Sequence, residues 1–246
     1  MTLTIEVERV QYQEVEAMRE LYRQEAHCQI IYDSSLRRGM ADPYVIVVNG
    51  RRAGYGALWN REVRQIMEFY TLPQVRTQAL PVFRQLLAIS QATHIVAQTN
   101  MALMLTMLYD CAIDITTDSI LFEDAYTTDL VCPNGVFRRA TPQDQGPDTG
   151  AEWGLEAGGV LVASGGFLTH YNPPYGDVFM RVAEPARQQG LGSYLVQEVK
   201  RVCYEAGKRP AARCNPTNVA SRKTLQKAGF VPCGRLLIGK VDASAQ

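Results

Sequence analysis

Long apolar runs are missing. No stretch of the 246-residue chain approaches the ~18 consecutive apolar residues that a membrane span requires. A secretory leader is not evident either. Met1–Glu8 alternates apolar and polar residues and brings acids early, whereas a leader opens on basic residues and an apolar run. Neither sign of charge is in excess: 25 Lys+Arg balance 25 Asp+Glu. That balance gives no electrostatic reason to expect nucleic acid or an anionic membrane as partner. Close cysteine pairs are also absent. The six cysteines (Cys28, Cys111, Cys132, Cys203, Cys214 and Cys233) form no C-x-x-C, so a structural zinc site is excluded and no metal is expected. Reduced, mostly buried thiols in a cytoplasmic protein are the plain expectation.

What is present is enough chain for one large domain or two small ones, since domains run ~100–200 residues. Thr141–Gly150 is rich in turn formers and has no periodic apolar face, and Cys132-Pro133-Asn134-Gly135 is a second break. They place a boundary between residues 1–133 and 134–246. The two halves repeat one another. Strand-like Ile66–Tyr70 runs into Leu72–Arg76, and Val178–Val182 runs into Glu184–Arg187. Each is followed by a helical pattern, with Val75, Ala79, Val82, Phe83, Leu86 and Leu87 on one face, and Leu191, Tyr194, Leu195, Val199 and Val202 on the other helix's face. Each helix leads to a short strand ending in Asn100 or Asn215, and a second helix follows. The first half also opens with an amphipathic helix, roughly Gln13–Ile30, with Val15, Met18, Leu21 and Tyr22 on one side. Strands 44–49 and 53–59 follow, joined at Asn49-Gly50, with Arg51 and Arg52 able to lengthen the turn. The second half instead opens with strand 135–140 and a hairpin, 152–156 and 159–169, joined by Ala157-Gly158.

The sharpest motif is Arg187-Gln188-Gln189-Gly190-Leu191-Gly192-Ser193, after a strand and opening a helix. Backbone N–H groups at a helix N-terminus have no intrahelical partner and carry the positive end of the dipole, so a diphosphate lying there satisfies them. Gly190 and Gly192 let a backbone come close, and Arg187 adds charge. By itself, two glycines are also what an ordinary strand-to-helix turn contains. It is neither the G-x-G-x-x-G dinucleotide fingerprint nor the G-K-[ST] phosphate loop. Downstream, Asn218 is a good N-cap before Val219-Ala220-Ser221, and Gly229 a good C′ residue before Phe230.

At these residues the chain resembles the GNAT acetyltransferase superfamily. Its cofactor motif [R/Q]-x-x-G-x-[G/A] is matched by Arg187, Gly190 and Gly192. The strand ending at Asn215, the helix opening at Asn218 and Ala228-Gly229-Phe230 match its next signature. The resemblance is strong over 159–241 and extends to the first half without the cofactor motif. It implies an α/β fold of two GNAT-like mixed-sheet units packed as one body. Residues 1–133 form the degenerate unit, and residues 134–246 bind acetyl-CoA or another acyl-CoA. In the first half Ala79 and Pro81 stand where Gly190 and Gly192 stand, and proline removes an N–H, so one cofactor per chain is expected.

The resemblance further implies a cofactor wedged between splayed parallel strands. Met180 and Val182 would pair with its pantetheine arm, the Val182 N–H polarising the thioester carbonyl. Gln188, Gln189, Leu191, Ser193, Asn215, Asn218 and Ser221 would complete the site. Acetyl would pass directly to a primary amine of a small-molecule acceptor, the chain acting as monomer or homodimer. Asp177 and Glu68 are candidate bases; equally, Asp177 fits a turn and Glu68 a pair with an arginine. The superfamily's proton-donating Tyr position is Leu225 here, expected to be core, which leaves Tyr175, Tyr171 or water as the acid. Residues 170–176, with two prolines and two tyrosines, could wall the acceptor pocket, and Arg37, Arg38 and Asp33 could contact the acceptor; a rigid turn and a solvated loop are the alternatives. A single His170 reads as structural, and Trp59 and Trp153 as core or edge residues. A non-catalytic acyl-CoA-binding sensor competes with the enzyme. Transfer from aminoacyl-tRNA, used by related tandem folds, is disfavoured by the neutral charge.

Overall fold

Asn49 and Gly50 both take positive φ (50° and 73°), and Val48 pairs directly with Arg51. The hairpin therefore has the two-residue turn whose twist matches its strands; it is not lengthened by Arg51 and Arg52. The second predicted hairpin turns one residue later than its sequence suggests. Gly158 and Gly159 supply the positive φ (62° and 80°), and Ala157 pairs with Val160. These are details of a computed structural model that describes residues 3–25, 33–148, 150–170 and 173–245.

The described chain forms two compact units, 1–119 with 234–246, and 120–233. The first contains β1 (Ile5–Arg9), α1 (Tyr12–Gln24), α2 (Asp33–Arg37), β2 (Ala41–Val48), β3 (Arg51–Asn60), β4 (Arg64–Thr71), α3 (Ala79–Ser90), β5 (His94–Gln98), α4 (Ala102–Cys111) and the first part of β6 (Ala112–Asp124). Its sheet runs β1-β2-β3-β4-β5 and ends on β12 (Phe230–Val241), where Leu236–Lys240 lie antiparallel to β5. The second unit contains β7 (Val136–Arg139), β8 (Trp153–Ala157), β9 (Val160–Leu168), β10 (Tyr175–Val182), α5 (Leu191–Glu205), β11 (Arg209–Cys214) and α6 (Val219–Lys227). Its sheet runs β7-β8-β9-β10-β11 and ends on the last residues of β6, Ile120–Glu123.

The units therefore do not part at 133/134. In each repeat the strand after the second helix is the one that moves: β6 follows α4 yet pairs with β11, and β12 follows α6 yet pairs with β5. The turn after α6 is built as its residues require. Gly229 takes φ +93°, and its carbonyl accepts from the N–H groups of Ala125 and Tyr126.

The core of the first unit is as the periodicity predicts on α3, where Ala79, Val82, Phe83, Leu86 and Leu87 are buried. On α1 the prediction is half right. Val15 and Tyr22 are buried, but Leu21 is exposed and the third buried residue is Arg19. The helix stops at Gln24; its predicted extension to Ile30, and Cys28, lie outside the described residues. In the second unit Phe122, Leu155, Leu195, Val199, Leu225 and Phe230 share one core. Leu225, in place of the superfamily's tyrosine, is core as expected. Five cysteines are free thiols, three of them buried.

Candidate active site

Strands β10 and β11 begin side by side and then part. Their parallel pairing covers only Tyr175–Asp177 against Arg209–Ala211, after which β10 continues along β9 and β11 along β6. Just past β10, the Ala183 N–H donates to the Val162 carbonyl on β9. Because successive residues of a strand turn their peptide groups to opposite sides, Val182 and Met180 direct theirs into the gap. The Val182 carbonyl is met there by Arg187, whose Nε donates to it at 3.3 Å.

A short 3₁₀ turn, Glu184–Ala186, carries the chain from β10 to the motif. Gln188 and Gly190 both take positive φ (62° and 82°), and α5 begins at Leu191 with no side chain capping it. The first helical bond runs from the Tyr194 N–H to the Gly190 carbonyl, so the N–H groups of Leu191, Gly192 and Ser193 precede the ladder and stand at the positive end of the helix dipole. The two glycines do different things. Gly190 supplies a backbone conformation that side chains rarely adopt. Gly192 supplies closeness: a Cβ there would lie 3.1 Å from Val182 Cγ2 and 3.3 Å from Thr224 Cγ2. A cleft of about 940 Å³ results, walled by the end of β10, the first turn of α5 and one face of α6.

Of the residues expected at the cofactor, Met180, Val182, Arg187, Gln188, Gly190, Leu191, Gly192, Ser193, Asn218 and Ser221 all line this cleft. Gln189 and Asn215 do not. The Gln189 amide bonds back to the Pro185 carbonyl, and Asn215 Oδ1 accepts from the N–H and hydroxyl of Thr217, fixing the loop before α6. Asn218 caps α6 as predicted, accepting from the Ser221 N–H at 3.0 Å. Sequence reasoning missed Arg181, Lys223, Thr224 and Lys227. The signal for three of them was there: Lys223, Thr224 and Lys227 follow Ala220, in the first turn of the capped helix, at i+3, i+4 and i+7.

The catalytic candidates are dispersed. Asp177 is buried at the last paired position, where the strands part, and its carboxylate faces Arg213 Nε at 3.4 Å. Tyr175 begins the same strand, with the Arg209 guanidinium 5.7 Å from its ring centre. Seven residues of extended chain, about 23 Å, separate it from Val182, at the end of the strand remote from the cradle. Tyr171 lies outside the described residues. Glu68 belongs to the first unit and is fully buried. Both its oxygens bond Arg19 at 2.8 Å, and the Tyr55 hydroxyl donates to one of them. The arginine pairing is thus the reading that the structure has, and a base exposed to a cleft is the one it lacks. Arg37 leans on the Tyr12 ring and donates to its hydroxyl, beside a pocket of about 690 Å³ that also takes in Arg9 and Asp42.

The Glu68 cluster has a measurable consequence. Burial, then the Glu68 charge, pushes the hydroxyls of Tyr22 and Tyr55 well above the usual phenol range. A raised pKa means that the folded state holds these protons more tightly. The stability they contribute is complete below pH ~10 and is lost as pH rises through the folded values. At pH about 11, phenolate absorbance of the native protein is therefore expected to fall short of that of the urea-unfolded chain by at least these two of its twelve tyrosines. Equal absorbance would refute the burial of the pair.

The first unit repeats the geometry of the site without its opening. Strand β4 pairs with β5 only at Gln65 and Ile66 before the two diverge, and Leu72 N–H donates to the Ala53 carbonyl as Ala183 does to Val162. Arg76 Nε faces the Thr71 carbonyl at 3.4 Å, as Arg187 faces Val182. The alignment of the two arginines is therefore structural. Beyond it the units differ: a longer 3₁₀ turn, Pro73–Gln78, replaces the glycine loop, Ala79 and Val82 are buried, and Pro81 sits in the first turn of α3.

Comparison with known proteins agrees with this duplicated geometry. A family model described as an acetyltransferase (GNAT) domain matches residues 11–125, and another, the acetyltransferase (GNAT) family, matches residues 120–230. No curated protein matches the chain. Among solved structures, a GNAT-family acetyltransferase from Colwellia psychrerythraea superposes with a TM-score of 0.77 at 14% identity, covering 96% of this chain and 100% of that one. A GCN5-related N-acetyltransferase from Sphaerobacter thermophilus gives 0.63 at 15% identity, covering 96% and 95%. A tandem GNAT protein from the clavulanic acid biosynthesis pathway, determined without acetyl-CoA, gives 0.60 at 14% identity, covering 96% and 98%. Identities this low speak for the fold alone, but the two family models lie end to end along the sequence, and the chain belongs to the GNAT acetyltransferase family with two of its domains in tandem.

Proposed function

We propose that the protein is an N-acetyltransferase that moves an acetyl group from acetyl-CoA to the primary amine of a small-molecule acceptor, using only the cradle of its second unit. One observation carries this reading: three successive free N–H groups at the start of α5 stand beside a strand end whose peptide groups point into the same gap. Such donors suit a diphosphate and an extended amide-bearing arm respectively. The fit is close at Gly192, where a single Cβ would press on Val182 and Thr224.

Acetyl-CoA would supply an activated thioester. The residues of this chain do the rest. Leu191, Gly192 and Ser193 hold the diphosphate, and Arg187 adds its charge. Met180 and Val182 orient the arm, and the Val182 N–H polarises the carbonyl to be attacked. The amine gives up its proton to water, since Asp177, at the fork of the strands, lies five extended residues, about 17 Å, from Val182 and faces Arg213. The first unit binds no cofactor by this route, since Ala79 and Pro81 replace the glycines.

The test is calorimetric. Wild type is expected to bind acetyl-CoA at about one site per chain, and Gly190→Pro/Gly192→Pro to lose at least ~10-fold in affinity, because the Gly192 N–H makes one charge-assisted hydrogen bond worth roughly 1.5–3 kcal/mol and proline cannot take the positive φ of Gly190. Urea unfolding of the variant checks that it folds, since a Cβ at Gly192 presses on Val182 and Thr224. Wild type that binds no acetyl-CoA sinks the proposal. The core position of Leu225 favours one rival, binding without transfer. Release of free thiol with any member of an amine panel would exclude it.

A further inference from the structure

The first unit has no open cradle, yet it holds a cavity with no part in the transfer proposed above. Its volume is about 690 Å³, within the range of roughly 300–1,000 Å³ that small organic ligands occupy. It lies where β1 ends and β2 begins. Ala41 pairs there with Trp59, and Asn60 with Arg64, which puts the cavity at the Arg64 end of β4. Thr71, where this unit's counterpart of the cradle begins, is seven extended residues further along that strand, about 23 Å. The cavity is therefore not a remnant of a cofactor cleft.

Its lining has two parts. Leu36, Ala41 and Pro43 are buried and give it an apolar floor. Two arginines complete it, and each is fixed by a side chain of its own. Arg9 Nη2 donates to Asp42 Oδ1 at 2.5 Å. Arg37 Nε donates to the Tyr12 hydroxyl at 3.3 Å, and its guanidinium lies 5.9 Å from the centre of that ring. Asp42 is the only charged residue of β2, and its side chain is 12% exposed against 65% for Arg9. A carboxylate sunk in the wall that grips one nitrogen of an open arginine sets the direction of the others. Among the described residues Arg9 Nε and Nη1 make no hydrogen bond.

The class of ligand follows from charge. Arg9, Arg37 and Asp42 are the charged groups of the lining and leave one positive charge in excess. One negative charge answers that excess; a second would be repelled by Asp42. A carboxylate meets a guanidinium in its plane with two parallel hydrogen bonds, and the apolar floor asks for an uncharged body. We infer that the first unit carries a second ligand site, for a small monocarboxylic acid with an apolar body whose carboxylate is taken by Arg9 and Arg37. This inference stands apart from the cofactor reading above.

The test uses phenylacetate, its neutral counterpart phenylacetamide, and inorganic phosphate, each titrated into the full chain and followed by backbone amide NMR at one fixed ionic strength. Phenylacetate is expected to shift the Gly39 amide, in the cavity wall, with a Kd below about 1 mM, and phenylacetamide to bind at least ~10-fold more weakly. Arg37→Met and Arg9→Met should each weaken phenylacetate at least ~10-fold. Both arginines are exposed, and urea unfolding checks that each variant folds. Arg38→Met removes the same charge from an exposed neighbour outside the cavity, and should change the affinity by less than about threefold. No shift at Gly39 with phenylacetate overturns the inference. So does equal affinity for the acid and the amide, or an equal loss in Arg37→Met and Arg38→Met, which would reduce the clamp to a general field. Phosphate that binds more tightly than phenylacetate overturns the assignment to a monocarboxylate.

Discussion

Replacing Lys200 by methionine is expected to cost the protein about 3–5 kcal/mol of unfolding free energy, the usual effect of removing one partner from a buried ion pair. Lys200 lies on α5 and is 4% exposed. Its ammonium is 2.5 Å from Asp124 Oδ1, donates to the carbonyls of Ala228 and Tyr126 at 2.7 and 2.9 Å, and sits over the Phe230 ring. Methionine fills the volume but leaves the Asp124 carboxylate buried, with the Tyr204 hydroxyl still donating to it. It also leaves the last carbonyl of α6 without a cation. The coupled variant Lys200→Met/Asp124→Leu is expected to recover most of the loss, because the penalty belongs to the abandoned charge and not to the absent pair. Urea unfolding of the three proteins measures both effects; a single variant within 1 kcal/mol of wild type, outside the range expected here, would show that the pair is solvated. The outcome bears on function, because α5 and α6 form two walls of the cleft and Lys200 joins them.

What could be read in the sequence, and what could not, divides by the range of the interaction. The cradle is local: a strand, an arginine, two glycines and a helix are contiguous, and each residue type is demanded by its own backbone position. So are the cap at Asn218, the Gly229 turn and the Asn49-Gly50 hairpin. The turn at Gly158-Gly159 was missed by one residue, since Ala157, Gly158 and Gly159 offer two overlapping choices and only the pairing of Ala157 with Val160 decides between them. Arg19 is harder. In the α1 pattern a charge reads as a solvent-facing residue, and its burial follows only from Glu68, 49 positions away and likewise buried. Neither residue announces the other. Lys223 and Lys227 were obscured in a different way, since exposed lysines on a helix are ordinary until a cleft is seen beside them.

The exchange of β6 and β12 was hidden because alternation along a strand says which side chains face a core but not which neighbour supplies the hydrogen bonds. It leads to a clear expectation. Residues 134–246, the division suggested by the turn-rich stretch, should not fold cooperatively when produced alone. That fragment lacks Ile120, Leu121 and Phe122, which are 4%, 1% and 0% exposed. At about 1.5–3 kcal/mol each, the loss is roughly 5–9 kcal/mol, against a typical total of about 5–15 kcal/mol. It also strips Lys200 of Asp124, deprives Gln197 of its bonds to Thr128 and Leu130, and leaves β11 with a bare edge. Extending the fragment back to residue 120 restores all of these at once. Circular dichroism during urea unfolding separates the two fragments: 120–246 should show a single sigmoidal transition and 134–246 a shallow drift. A sharp transition from the shorter fragment, at the midpoint of the longer one, would mean that β6 contributes nothing to the second unit and that the sheet described for it is wrong at its β11 edge.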